Sequence, residues 1–229
     1  HFKDRDVRRA VSYALDREGI VQATSFGTAE VAGSVLPPSI PGYDDSITTL
    51  DYDVEAAKDA IADSAYPDGF STSLLIASGN DLRAQEAQII QAQLAEIGIT
   101  VQIESIDLAA FRERFRAFDY SFMLNGATSD AADPNGIVTF QADPEGGTNG
   151  YWTHYSNDEV TQLITEGRTL PDGDERTQVY SQIQQLIADD APFIPLSYPS
   201  NIKASSAKVQ GLTVLPNGSV RLQDTWLEQ

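Results

Sequence analysis

The chain has 229 residues with 34 Asp plus Glu against 15 Lys plus Arg, a net charge of −19 at neutral pH. Counterion-release binding to phosphates needs clustered cations, whereas Arg112, Arg114 and Arg116, the densest basic group, skip alternate positions; nucleic acid is excluded as a main partner, and a membrane-surface helix is disfavoured. A hydrophobic content of 41% is enough for a folded globule, while zero Cys and two separated His remove disulfides, thiolate ligands and a His-rich metal site together, so no cofactor or metal is expected.

Val7, Ala10, Val11, Ala14 and Leu15 recur at one face of a 3.6-residue period and predict an opening helix that starts near Asp4 or Asp6. Residues 27–43 read as a long loop in which Leu36-Pro37-Pro38 must be extended, since proline restricts its predecessor. Ordered loops of that length tend to be functional or to wrap a neighbouring domain. Asp53 is expected to cap a short helix with Val54, Ala57 and Ile61 inward, ending before Pro67-Asp68-Gly69.

From Phe70 the period changes repeatedly. Residues 73–77 read as a buried strand, and residues 81–97 as a helix with Ala87, Ile90, Leu94 and Ile97 inward and Gly98 as its stop. Residues 100–105 alternate as a half-buried strand, residues 107–117 place Leu108, Phe111 and Phe115 on the apolar side of a helix, and residues 120–125 form a further strand. A β-α-β-α-β order predicts parallel pairing with helices on the faces of the sheet. The three arginines then fall on the solvated side of the residue 107–117 helix.

Asp133-Pro134 is an N-cap followed by the residue suited to the first helical position. Ser156-Asn157-Asp158-Glu159 announces another helix with Val160, Leu163 and Ile164 behind it, and Asp174 a longer one with Val179, Ile183, Leu186 and Ile187 inward. Residues 193–198 read as the last strong strand, and Asn217-Gly218 between Val214 and Val220 as a tight hairpin. No apolar run reaches the ~18 residues of a membrane span and no signal segment opens the chain. The only Met is Met123, so a processed chain or an excised piece is expected.

Open α/β sheets bind ligands outside the carboxyl ends of their strands, where backbone N–H groups and helix N-termini face solvent. Here that place is Gly126-Ala127-Thr128-Ser129-Asp130, between a strand and the helix at Asp133-Pro134. Gly126 allows close backbone approach, Thr128 and Ser129 offer hydroxyls, and the Asp130 carboxylate suits a cationic group such as an amine, although a loop Asp also commonly bonds local backbone. Asp133 is better explained as a cap. No nucleophile elbow, Walker loop, dinucleotide fingerprint or His-Glu-x-x-His is present. His154 reads as a surface or hydrogen-bonding residue, and Tyr151, Trp152 and Tyr155 as core packing or a loop plug.

Taken in order, several segments resemble the family 5 extracellular solute-binding proteins, the oligopeptide-, dipeptide- and nickel-binding receptors of ABC importers. They are Val7-Arg8-Arg9-Ala10, Tyr13-Ala14-Leu15-Asp16-Arg17, Leu36-Pro37-Pro38, Tyr66-Pro67-Asp68-Gly69-Phe70, Gln93-Leu94-Ala95-Glu96-Ile97-Gly98, Asp133-Pro134, Glu175-Arg176 with Tyr180, and Asp189-Asp190-Ala191-Pro192. The resemblance implies an α/β, periplasmic-binding-protein-like (class II) lobe, a mostly parallel sheet with helices on its faces. It implies the C-terminal half of a two-lobed receptor: residues 1–203 as the second ligand-binding lobe, residues 204–229 as a tail returning toward an absent first lobe. It implies a non-enzymatic, monomeric, extracytoplasmic protein, periplasmic or at the cell surface with a lipid anchor outside this chain, that takes a small solute, foremost a peptide, and hands it to an ABC permease. In peptide-binding members an Asp after the matching strand pairs with the peptide's α-amino group, which falls on Asp130. Backbone contacts to an extended ligand then fall on Gly126 and Thr128. Ala127 stands where relatives often have Trp, and Ile76-Ala77 where dipeptide receptors place a carboxylate-binding Arg, with Arg83 nearby; this weighs against a strict dipeptide ligand. Sugar, opine and metal-chelate ligands stay open, as do a carboxylate-dependent hydrolase and a sensory binding protein.

Overall fold

The computed structural model describes residues 1–47, 51–127, 131–148, 153–215 and 217–228. Its frame is a parallel sheet of β2 (Phe70–Ala77), β3 (Ile99–Ile106) and β4 (Phe122–Met123), in the order β3-β2-β4. Phe70 lies opposite Ile99 and Leu74 opposite Phe122, so β2 is central. The intervening helices, α4 (Asp81–Ala95) and α5 (Leu108–Ala117), are the crossovers that parallel pairing demands. Alternation along β2 sends Leu74 and Ile76 into a core with Ile90, Leu94 and Val11, while Leu75 faces the opposite way, the side on which α5 packs. The α/β lobe expected from the sequence is thus present, although β4 keeps only two residues of the expected 120–125 strand.

Helices α1 (Arg5–Ala14) and α3 (Val54–Asp63) pack on each other and complete this first core with Ala10, Ala14, Ala57 and Ile61. Local side-chain oxygens set their starts: Asp4 accepts from the Asp6 N–H and Asp53 from the Ala56 N–H. Between them lies α2 (Arg17–Ser25), which the apolar period of the opening helix does not announce; Asp16 caps it through the Gly19 N–H, one residue after α1's own C-cap at Leu15.

A second core joins α6 (Pro134–Ala142), α7 (Asp158–Thr169) and α8 (Asp174–Asp190) through Val138, Val160, Ile164, Tyr180 and Ile183. The long loop after β1 (Ala29–Val31) wraps α8 of this same chain. Leu36 and Ile40 enter the second core, Gln184 donates to the Gly42 carbonyl at 2.8 Å and the Ser181 hydroxyl to Asp44 at 2.5 Å. The Tyr198 hydroxyl receives the Ser34 N–H and donates toward the Ser34 and Leu36 carbonyls; burial pushes its pKa up to about 12.

Three sequence expectations need correction. Residues 193–196 are not strand: β5 is Ser197–Pro199, antiparallel to β1, because the partner β1 offers is only three residues long. Leu108 is 49% exposed, since the first turn of α5 projects beyond the carboxyl end of the sheet and Phe111 is the residue that reaches the core. The α8 N-cap is Gly173, with no side-chain cap; Asp174 is already helical. The hairpin is present, β7 (Thr213–Val214) pairing with β8 (Val220–Arg221) and Gly218 holding φ +79°. Around it β6 (Val209–Gln210) pairs with β9 (Trp226–Leu227). No helix among the described residues is long and apolar enough to cross a membrane.

Candidate functional site

Because β2 is central, its carboxyl end and that of β4 open side by side. On the β2 side Ser78 donates its N–H to Ile106, Gly79 takes φ +81°, and Asn80 caps α4 through the Arg83 N–H. On the β4 side the Leu124 N–H still bonds the Leu75 carbonyl, Leu124 is buried, and the chain then emerges: Asn125, Gly126 and Ala127 are exposed. Gly126 and Ala127 therefore lie where the sequence placed a binding segment. Thr128, Ser129 and Asp130 lie outside the described residues. The polypeptide re-enters the described structure at Ala131 and reaches α6 at Asp133 and Pro134.

An arginine stands at the β2 side of this opening. Arg83, one turn into α4, donates to Glu86 at 2.8 Å, and Glu86 is buried. The Arg83 guanidinium lies beside the chain that follows β4: a Cβ on Gly126 would be 3.2 Å from its Nη2. Ile76 and Ala77 end β2 as the sequence shows, but a cation does stand at this rim.

At the start of α6, Asp133 does more than cap. One carboxylate oxygen accepts from the Asn135 N–H at 2.8 Å, and the other meets Arg176 Nη2 at 2.9 Å. Arg176 also donates to Asp172 at 3.0 Å and to the Gly167 carbonyl at 3.1 Å, and lies over the Tyr180 ring, 5.0 Å from its centroid. Tyr180 in turn donates to Asn135 at 3.1 Å. Burial alone would lower the Arg176 pKa, yet the Asp133 hydrogen bond and the surrounding negative charge leave it raised, so the guanidinium stays charged. Beside it opens a cleft of about 190 Å³ lined by Pro41, Gly42, Pro134, Gly173 and Thr177.

Arg176 and Tyr180 were legible only as a family motif. Their i, i+4 spacing sets them on one helix face, but nothing local says that the face meets Asp133. Other expectations divide. Arg112 and Arg116 are exposed, and Arg114 is part-exposed and pairs with Glu104 and Asp119. Exposed His154 sits 4.0 Å from the Phe118 ring, a surface contact. Tyr155 is buried and donates to Asp190 at 2.7 Å; Tyr151 and Trp152 lie outside the described residues.

A parallel sheet, helices on its faces and an open carboxyl end define an α/β binding-protein lobe. Residues 1–149 match the model of the bacterial extracellular solute-binding proteins, family 5 Middle, and the chain belongs to that family, whose members bind solutes for ABC transporters and are not enzymes. It is 30% identical over 223 residues to a probable di/tripeptide-binding protein 5 of Pseudomonas aeruginosa, covering 94% of this chain and 41% of that protein. It is 29% identical over 221 residues to heme-binding protein A of Haemophilus influenzae, covering 95% of this chain and 40% of that protein. The structure of the periplasmic binding protein DppA from Helicobacter pylori in complex with the peptide STSA superposes with a TM-score of 0.89 at 27% identity, over 100% of this chain and 45% of that one. The chain therefore spans less than half the length of these relatives.

Proposed function

We propose that the chain is the second, C-terminal lobe of the substrate-binding component of an ABC importer, which captures a peptide in an interlobe cleft outside the cytoplasm and delivers it to a permease. The observation that carries the reading is the exposed Gly126-Ala127 backbone at the carboxyl end of a parallel sheet, leading into Asp130. A peptide's α-ammonium would pair with Asp130 while its first residues extend along the 126–128 backbone, with Ser129 beside the pair, an added-strand mode that tolerates varied side chains. Leu82 and Leu108, both in first turns of helices leaving this rim, are exposed and would give apolar contact to the ligand or to the opposing lobe. Peptide ligands of two of the relatives named above support the same reading.

Residues 204–229 would form the arm that returns to the first lobe. Leu222, Trp226 and Leu227 are exposed there, while β6 pairs with β9 and β7 with β8. An apolar surface of this kind suits burial against another body. The complete receptor would act as a monomer, free or lipid-anchored.

Calorimetry on the complete receptor tests the contact. Asp130→Ala should abolish detectable binding of a peptide that the unaltered receptor binds, because a desolvated ammonium left without its partner is strongly penalised. Unchanged affinity would reject the role of Asp130.

A further inference from the structure

Six residues beyond Ala127 the chain reaches Asp133 at the start of α6, and that point is held by a group 43 residues further along the chain. Arg176 sends its three nitrogens to three different places: Asp133 at the start of α6, Gly167 near the end of α7 and Asp172 in the turn before α8. The Arg176 side chain is 11% exposed and rests on Tyr180, whose hydroxyl bonds the α6 side chain Asn135. A cap needs only one Asp oxygen, and the Asn135 N–H already uses it. The second oxygen is therefore available to fix where the α6 start sits relative to the α7–α8 hairpin, and a buried multi-bonded guanidinium fixes it in both distance and direction.

We propose that Arg176 is a positioning residue for ligand binding: through Asp133 it sets the place at which the ligand-contacting segment re-enters the lobe. The ligand-binding half of this statement rests on the peptide-receptor reading; the positioning half does not.

The test uses the complete receptor without ligand. Hydrogen exchange followed by mass spectrometry compares the unaltered protein with Arg176→Gln, Asp133→Asn and the double variant. Asp133→Asn retains a capping oxygen but gives up the charge, so it reports on the link to Arg176 even if Arg176→Gln fails to fold. Residues 126–133 should exchange about tenfold faster in each single variant, with the double variant no faster than Arg176→Gln alone, because that change already removes the Asp133 bond. Faster exchange confined to α7 and α8 in Arg176→Gln, with residues 126–133 unaltered in both single variants, would overturn the proposal and leave Arg176 as a hairpin staple. A second arm titrates an equimolar mixture of tri-, tetra- and pentaalanine into the same proteins. If the unaltered receptor binds it, both variants should weaken binding about tenfold; full affinity in variants with accelerated exchange would overturn the link to binding. If the unaltered receptor binds none of these peptides, the failure falls on the peptide reading, and the exchange result still decides the role of Arg176.

Discussion

Asp190, the last residue of α8, links the two cores with one carboxylate. Oδ2 accepts the Tyr155 hydroxyl at 2.7 Å and the Asn157 amide at 2.9 Å, both from the second core's side, while Oδ1 lies 3.4 Å from Arg5 of α1 and the Asp190 carbonyl accepts from Arg8 at 2.8 Å. Burial first, then the Asp190 hydrogen bond and charge, raise the Tyr155 pKa and keep the phenol neutral. Burial also lowers the Arg8 pKa, with Asp190 acting against it. Asp190→Ala strands the buried Tyr155 hydroxyl and should cost roughly 2–3 kcal/mol in urea unfolding, the range for losing charge-assisted bonds at a partly buried site. A loss below about 0.5 kcal/mol would show that the network contributes little.

Glu104 offers a residue-level test in pH. The Arg114 hydrogen bond is the largest cause holding its carboxyl below the ordinary value. A depressed carboxylate contributes stability that is present above its unfolded pKa and lost as pH falls through the lower folded value. Acid unfolding should therefore steepen below the ordinary carboxylate range, and Glu104→Gln should flatten that limb while leaving the neutral-to-alkaline slope as it was; an unchanged acid limb would contradict the linkage. Several capping residues could be read directly from sequence because their partners lie within three positions: Asp53, Asp107 and Asn157 all bond N–H groups just ahead of them. The second bonds of Asp4 to the Ala65 N–H and of Asp133 to Arg176 could not be read, since nothing local encodes a partner 61 or 43 residues away.

Among elements, the strands and helices of the sheet were legible because burial there follows the period: Ala87, Ile90 and Leu94 of α4 are all buried. α2 was hidden by its closeness to α1, and the 193–198 run failed because an apolar stretch does not show whether a strand partner waits beside it. Turn glycines separate into two kinds. Gly69 holds φ +77°, and a Cβ there would lie 2.1 Å from the Gly98 carbonyl oxygen where two turns cross below the sheet. Gly27 holds φ +79° with nothing within 4 Å. Gly27→Ala should thus cost about 1 kcal/mol from backbone strain alone, and Gly69→Ala at least about 3 kcal/mol, with strain and backbone collision together. Equal losses for the two in denaturant titrations would contradict the crossing.

At the scale of the whole molecule, one set of elements supplies an open sheet end and another the anchored start of α6 that follows it in the chain. The sheet-centred core carries β2 and β4 to the rim, and the α6–α7–α8 core receives the chain on its return. The place of Gly126 and Ala127 at the carboxyl end of the sheet was legible from strand order; the Asp133–Arg176 link was not, because it depends on how distant helices pack. The exposed apolar residues of the tail belong to this scale too. Leu227→Ser should leave the 229-residue chain within about 0.5 kcal/mol of its original stability, as exposed substitutions do, yet destabilise the complete receptor by more than about 1 kcal/mol if the side chain is buried there. Equal effects in the two proteins would contradict the docking of the tail.

The most direct measurement is calorimetric titration of the complete receptor with one peptide in two forms, free at its amino terminus and acetylated. With the Asp130 carboxylate meeting the ligand's ammonium, the free peptide should bind and the acetylated form should bind at least about a hundredfold more weakly, a loss of roughly 2.7 kcal/mol. Equal affinity for the two forms would contradict it.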